Sequence, residues 1–185
     1  MRGKEVLDSI DHDVLRSPYP YGSDYSRHRW IICQHARNIP YMFNHILVAL
    51  DGSDCSHKAL DMAVQLAKEQ GARCTVCTVV DIVSAASSMT FATGDVVNEW
   101  IATLNEDARQ IEREAIAKYV DSGVTIDTQV LEGYPSSALL NVAKERAADL
   151  IVMGSHGRTG LKRLWLGSVA ESVVREATIP VLIVR

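Results

Sequence analysis

The chain has 185 residues, of which 47% are hydrophobic and 23% are charged, and its formal net charge is −4. These values are typical of one folded domain with a buried core, and they exclude a disordered, collagen-like or coiled-coil chain. The acidic balance and the 6% aromatic content argue against nucleic acid as a partner, because nucleic-acid binders carry a basic excess and stacking side chains. No apolar run approaches the ~18 residues of a membrane-spanning helix, so we expect no membrane partner.

The first 41 residues differ from the rest of the chain. They contain three of the five prolines, lack a sustained period, and carry six basic against five acidic side chains. The character changes at Met42, where a strand pattern begins. We predict two parts, an N-terminal extension over 1–41 and a domain over 42–185. The extension is interpreted as a cloning artefact, an over-extended reading frame or a poorly ordered tail, with a regulatory or partner-binding arm as the alternative.

Strand and helix patterns alternate from residue 45 onwards. The apolar run His45–Leu50 predicts a strand covered on both faces, and the next helix is capped by Ser53 or Asp54 and ends at Gly71. A second buried strand is predicted over Cys74–Val80. The remaining predicted elements are a helix over 95–121, a strand over 124–131, a helix beginning at Pro135, a strand over 150–153, a helix over 168–177 and a strand over 181–185.

The four cysteines bear on location and on one candidate motif. They are Cys33, Cys55, Cys74 and Cys77, and no secretory signal pattern precedes them, so we expect a reduced, cytoplasmic location. Cys74 and Cys77 have the C-x2-C spacing of a redox or zinc half-site. They lie on a predicted strand, where residues three apart point to opposite faces. We therefore predict that both are structural.

Alternating strands and helices of these lengths indicate parallel pairing through right-handed crossovers. The predicted fold is a Rossmann-like, three-layer α/β/α sandwich around a five-stranded parallel sheet. Ligands of such sheets bind beyond the carboxyl ends of the strands. The glycine-rich stretch from Gly154 to Ser168 begins at such an end.

This glycine-rich stretch suggests phosphate binding by main-chain amides. Gly154 and Gly157 would permit close approach to an anion or a positive φ. Gly167 and Ser168 open a helix, whose free N–H groups and positive dipole end favour phosphate. The stretch lacks the G-x4-G-K-[ST] pattern of a Walker A loop and the G-x-G-x-x-G dinucleotide pattern.

From Met42 to Arg185 the sequence resembles the universal stress protein family, in its ATP-binding branch. The matching segments are HILVALDGS, TVVD, DLIVMGSHGRTGLKRLWLGSVAESVV and PVLIV. The family's nucleotide pattern, G-x2-G-x9-G-[ST], is matched by Gly154, Gly157, Gly167 and Ser168. The resemblance implies an adenine nucleotide hydrolase-like fold with strand order 3-2-1-4-5.

The resemblance also implies the ligand, ATP with Mg²⁺, and a set of contact residues. It places Asp51 near the ribose or adenine, Val79 against the adenine, and the loop and helix start around the phosphates. An Asx turn is the alternative role of Asp51, and a surface histidine the alternative for His156. The full predicted set is Ala49, Asp51, Val79, Met153, Gly154, Ser155, His156, Gly157, Arg158, Thr159, Gly160, Gly167, Ser168, Val169 and Ala170. No catalytic or metal-ligating residue is predicted.

The last strand and the site together lead to a functional hypothesis. Val181–Val184 is an apolar edge strand, and an open edge invites pairing with a second chain. In the family this strand pairs across a two-fold axis, so we predict a homodimer through residues 181–185. The leading hypothesis is an ATP-binding, stress- and energy-responsive regulatory protein whose protein partners the sequence does not name. The alternative is an ATP-hydrolysing enzyme, with slow hydrolysis at most.

Overall fold

The computed structural model describes residues 31–32, 43–82, 94–158 and 166–185. Strands and helices alternate through these ranges. The strands are β1 (Ile31–Ile32), β2 (His45–Ala49), β3 (Arg73–Val80), β4 (Ile126–Glu132), β5 (Leu150–Gly154) and β6 (Val181–Val184). The helices are α1 (Asp54–Gln70), α2 (Gly94–Ile116, followed by a 3-10 turn over Ala117–Tyr119), α3 (Pro135–Glu145) and α4 (Ser168–Glu176).

The strands form one sheet in the order β1-β6-β5-β2-β3-β4. The five strands from β2 to β6 are parallel, which confirms the predicted sheet and its order. Strand β1 was not predicted. It pairs antiparallel with β6, with Ile31 opposite Ile183 and Ile32 opposite Leu182. The rest of the N-terminal extension lies outside the described residues, so its predicted character stays a prediction.

Helix α1 illustrates how local signals set the element boundaries. The Ser53 hydroxyl accepts a hydrogen bond from Ser56 N at 3.2 Å, which satisfies one of the free donors of the first turn. Gly71 ends the helix with φ of 68°, a left-handed conformation that glycine adopts without steric cost. Between these ends a stripe of small and apolar side chains packs on the sheet, and it comprises Ala59, Leu60, Ala63, Val64 and Ala67.

Two apolar clusters cover the two faces of the sheet. Helices α1 and α2 pack on the face that carries Ile46, Val48 and Val76, while α3 and α4 pack on the face of Leu47 and Ile151. Cys74 belongs to the first cluster and Cys77 to the second, so the two sulfurs diverge as predicted. Burial raises the pKa of each thiol to about 12, and both are therefore neutral near pH 7.

The helices of the described ranges include none that is both long and apolar enough to span a bilayer. Strand β4 lies at one end of the sheet and is only partly buried. The central strands β2 and β5 are almost completely buried and neighbour each other. The carboxyl ends of β2 and β5 are therefore held in place by the buried centre of the sheet.

Candidate functional site

A cavity of about 220 Å³ lies at the carboxyl ends of β2 and β5. From these neighbouring strands the chain leaves toward opposite faces, to α1 after β2 and to α4 after β5. A crevice at such a topological switch point is the usual ligand site of an open α/β sheet. The structure thus places a cavity where the sequence predicted a site.

Most of the predicted contact residues line this cavity. They are Ala49, Asp51, Val79, Met153, Gly154, Ser155, His156, Gly157, Gly167, Ser168, Val169 and Ala170. Arg158 is not part of the lining, although it contacts Asp51 from the adjacent loop. Thr159 and Gly160 lie outside the described residues.

The sequence analysis missed five residues that also line the cavity. They are Leu50, Ser56, Cys77, Pro135 and Leu139. Cys77 could have been found, because it precedes Val79 by two residues and the two side chains share one face of β3. Pro135 and Leu139 belong to the first turns of α3, whose approach to the site depends on how that helix packs.

The glycines of the motif make room for the protein's own atoms. A Cβ at Gly154 would lie 2.9 Å from the carbonyl carbon of Cys55 in α1, and one at Gly157 would lie 2.6 Å from Asp51 Oδ2. One at Gly167 would lie 3.2 Å from the Ser155 carbonyl oxygen. Neither Gly154 nor Gly157 has a positive φ, so the second of the two reasons considered for these glycines does not apply. Close packing of three chain segments therefore explains these glycines.

The Asp51 carboxylate joins the end of β2 to the loop that follows β5. Its Oδ1 accepts a hydrogen bond from Ser53 N at 2.9 Å, and its Oδ2 accepts one from Arg158 N at 3.1 Å. The Arg158 guanidinium also donates to the Asp51 carbonyl oxygen through Nε. The Asx turn is therefore present, and the same side chain holds the glycine loop against it. We call this arrangement of Asp51, Ser53 and Arg158 the Asp51 latch.

The main-chain amides around the cavity fall into two groups. Ser155 N donates to the Val184 carbonyl at 2.7 Å and Gly167 N to the Ser155 carbonyl at 2.8 Å, so both are engaged within the protein. The first turn of α4 differs, because its N-cap residue, Gly167, has no side chain to accept a hydrogen bond. Among the described residues, no acceptor bonds to the amides of Ser168, Val169 and Ala170. The donors open to a ligand are thus concentrated at the start of α4.

The cavity combines these donors with a neutral, largely apolar wall. Cys77 is 1% exposed, and burial followed by the nearby Glu112 carboxylate raises its pKa to about 12, so it presents a thiol rather than a thiolate. Ser155 Oγ lies 3.0 Å from His156 Nδ1, next to Gly157. Aligned N–H groups at a helix start with an apolar wall beside them suit a ligand that carries both a flat apolar group and an anion.

The fold and the position of the cavity place the protein in the adenine nucleotide hydrolase-like class of α/β sandwiches. Comparison with known proteins gives the family. The model of the universal stress protein family matches residues 42–185. Universal stress protein YxiE of Bacillus subtilis is 41% identical over 148 residues, which cover 78% of this chain and 100% of that protein. The chain belongs to the universal stress protein family.

Solved structures agree with this assignment. Universal stress protein UspA from Lactobacillus plantarum matches with a TM-score of 0.69 and 27% identity, covering 78% of this chain and 99% of that chain. A universal stress protein crystallised in complex with cAMP matches with a TM-score of 0.56 and 29% identity, over 78% of this chain and 98% of that one.

Proposed function

We propose that the protein binds ATP, together with Mg²⁺, in the cavity between β2 and β5 and acts as a stress- and energy-responsive regulatory homodimer. One observation carries the nucleotide part of the proposal. Three consecutive amide donors, at Ser168, Val169 and Ala170, line an apolar cavity and have no acceptor among the described residues. A phosphate at a helix start accepts hydrogen bonds from such open N–H groups and interacts favourably with the helix dipole.

The lining suggests how the ligand is oriented. In our proposal the base packs against Val79 and Leu139, on the apolar side of the cavity, and the phosphates lie at the start of α4. The cavity of about 220 Å³ is smaller than the 300–1,000 Å³ typical of ligand pockets. The base and sugar therefore occupy the cavity, and the triphosphate extends to its opening. The related universal stress protein in complex with cAMP supports an adenine nucleotide as the ligand.

Magnesium enters this proposal with the nucleotide. Among the described residues, no group of three or more His, Cys, Asp or Glu side chains could hold a metal ion. Proteins commonly bind Mg²⁺ through substrate phosphates and one or two carboxylates rather than in a cage of their own. Asp51 supplies a carboxylate in the lining. We therefore propose that the ion arrives on the phosphates and needs no separate protein site.

The regulatory part of the proposal rests on the fold. The described site contains groups suited to ligand binding and a neutral thiol. A protein that binds a nucleotide can signal the nucleotide concentration by associating with other proteins. The homodimer would form through β6, whose four residues are apolar and buried. The proposed setting is the cytoplasm, where the free thiols of Cys55, Cys74 and Cys77 would stay reduced.

Isothermal calorimetry with Mg-ATP tests the proposal. We expect saturable binding by the full chain, and the absence of binding at about 1 mM nucleotide would overturn it. Gly157→Val should weaken binding at least about 100-fold, or by about 2.8 kcal/mol, because the new side chain enters the space of the Asp51 carboxylate.

The matched control is Gly94→Val. A Cβ at Gly94 has no neighbour within 4 Å, and this residue begins α2 away from the cavity lining. We expect its affinity for Mg-ATP to stay within about twofold of the unsubstituted chain, a difference of less than about 0.5 kcal/mol. Equal losses in both variants would mean that the substitutions act on the fold rather than on the site. Circular dichroism of each variant reports that directly.

A further inference from the structure

The N-terminal extension contributes a strand that the nucleotide site does not use. Strand β1, residues Ile31–Ile32, lies along the outer edge of β6. Strand β6 is apolar along its whole length, and its residues are at most 8% exposed. Without β1, a four-residue apolar strand would end the sheet, which is the kind of edge that pairs with other chains. Strand β1 therefore covers an edge that could otherwise pair with another chain.

The backbone of β6 divides its hydrogen-bonding groups between its two neighbours. The carbonyls of Pro180 and Val184 accept from Ile151 N at 3.0 Å and Ser155 N at 2.7 Å, and so point toward β5. Backbone groups of successive strand residues point to opposite edges. The groups of Val181 and Ile183 therefore point outward, toward β1. Because Ile31 lies opposite Ile183, these two residues form the hydrogen-bonded pair of the antiparallel ladder.

We propose that β1 is an intramolecular strap that occupies the edge on which a second copy of this chain would otherwise pair. The orientation supports a second copy as the competitor. A β6 strand related by a two-fold axis would run antiparallel to the first, as β1 does, and the same edge would serve both protomers. This proposal depends on the homodimer of the proposed function and adds a means of regulating it, because dimerisation requires the release of β1.

The strap is short enough to be displaced. Only two residues of β1 pair with β6, whereas two copies of β6 could pair over four residues each. A two-residue strand also presents a poor edge of its own, and very short edge strands are one means by which proteins avoid uncontrolled association. Residues 33–44 connect β1 to β2, so the strap competes at the high effective concentration of a tethered segment.

Two proline substitutions in the full chain test the strap. Proline has no N–H to donate to a ladder. Ile31→Pro removes the donor of the hydrogen-bonded pair and should release β1. Ile32→Pro is the matched control, because the N–H of residue 32 points away from β6, where proline is tolerated. Sedimentation velocity over a range of concentrations gives the dimer dissociation constant of each chain.

We expect Ile31→Pro to dimerise at least about tenfold more tightly than the unsubstituted chain, and Ile32→Pro to stay within about threefold of it. Equal dissociation constants for the unsubstituted chain and Ile31→Pro would overturn the strap. Equal tightening in both proline variants would overturn it as well, because the ladder bond would not be the cause. If no chain dimerises at any concentration tested, both the strap and the proposed homodimer are wrong.

Calorimetry with Mg-ATP on the same samples separates this result from nucleotide binding. The strap lies at the edge of β6, and neither of its residues lines the cavity. We therefore expect both proline variants to bind Mg-ATP as the unsubstituted chain does. Tighter dimerisation of Ile31→Pro without nucleotide binding by any of the chains would contradict the proposed ligand and leave the strap supported. Normal nucleotide binding without a change in assembly would do the reverse.

Discussion

At the amino edge of the sheet the polar side chains bond to one another. His45 is 3% exposed, and its Nδ1 lies 2.9 Å from the Arg146 carbonyl oxygen while its Nε2 lies 2.7 Å from Thr75 Oγ1. Thr75 Oγ1 donates to Asp127 Oδ2 at 3.0 Å, and Arg146 Nη1 donates to the same oxygen. At the carboxyl edge, by contrast, the first turn of α4 keeps donors without acceptors among the described residues, next to a cavity.

The contrast separates two uses of polar groups in one small fold. Polar groups that satisfy one another fix strands and loops in place and leave nothing for a ligand. Donors that the fold leaves open remain available to a ligand. Substitutions at the amino edge should therefore change stability without changing binding, and substitutions at the carboxyl edge should do the reverse.

The largest expected effect is at the amino edge, in His45→Ala. The substitution removes a hydrogen-bond partner from Thr75 Oγ1, which keeps Asp127 Oδ2, and from the Arg146 carbonyl, and it opens a cavity at a buried position. We expect the free energy of unfolding to fall by about 2–4 kcal/mol, measured by urea denaturation. Affinity for Mg-ATP should be unchanged under conditions where the variant is folded. A loss of affinity in the folded variant would contradict the separation of the two edges.

His57→Ala is the control for this experiment. His57 lies in α1 and is only partly buried, and its backbone N–H rather than its ring is bonded, to the Ser53 carbonyl. We expect its free energy of unfolding to stay within about 0.5 kcal/mol of the unsubstituted chain. A loss as large as that of His45→Ala would mean that replacing any histidine is costly, whatever its hydrogen bonds.

The second prediction concerns Asp51, which lines the cavity and whose carboxylate is hydrogen-bonded within the protein. Asp51→Asn keeps one acceptor oxygen and sets an NH2 group against either Ser53 N or Arg158 N, so the Asp51 latch should loosen. We expect ATP to bind about tenfold more weakly, which corresponds to about 1.4 kcal/mol. Asp54→Asn, which removes the same charge from an exposed position, should bind normally.

Binding of 2′-deoxy-ATP distinguishes two possible roles of Asp51. If Asp51 works through the loop, as the latch indicates, ATP and 2′-deoxy-ATP should lose affinity by the same factor in Asp51→Asn. If Asp51 contacts the 2′ hydroxyl, the unsubstituted chain should bind ATP more tightly than 2′-deoxy-ATP, and this preference should disappear in Asp51→Asn. Such a loss is what a double-mutant cycle shows for two groups in contact. Calorimetry with both nucleotides on both chains measures the four affinities. A lost preference would contradict the latch as the main role of Asp51.

The fold was predictable because its signals are local. Buried strands read as apolar runs such as His45–Leu50, and the ends of α1 follow from a capping Ser53 and a left-handed Gly71. Strand β1 was not predictable in this way, because two residues have no period to detect. It forms only because β6 offers an edge to it.

The position of the cavity was predictable from the sequence, but the hydrogen bonds around it were not. Strand ends and the glycine spacing locate the cavity, since parallel strands bring their carboxyl ends together. Which amides remain open depends on partners distant in sequence. Ser155 N is taken by the Val184 carbonyl, and Arg158 N by an Asp51 carboxylate that lies 107 positions earlier in the chain. No periodicity or spacing reveals such pairings, so the sequence predicted more open amides than the structure has.

The smallest effect is expected at Glu112, a buried acid on the opposite face of the sheet from the cavity. It is 3% exposed and accepts a hydrogen bond from Thr78 N at 3.1 Å. Burial raises the pKa of its carboxyl above the ordinary 4.5, against the opposing effect of that hydrogen bond. The hydrogen bonds from Thr78 and Thr128 therefore offset only part of the cost of burying the charged form of Glu112.

A raised pKa means that the folded chain holds this proton more tightly than the unfolded chain, so the contribution of Glu112 to stability is greatest below 4.5 and declines as the pH rises through the raised value. Glu112→Gln keeps an acceptor for Thr78 N but cannot ionise. The free energy of unfolding of the variant, minus that of the unsubstituted chain, should increase as the pH rises above 4.5 and level off once the pH exceeds the raised pKa of Glu112. Urea denaturation of both chains at each pH gives this difference directly, with other titrating groups cancelling. A difference that stays flat or falls would mean that the hydrogen bond from Thr78 outweighs burial, and that this face of the sheet is as fully satisfied as the amino edge.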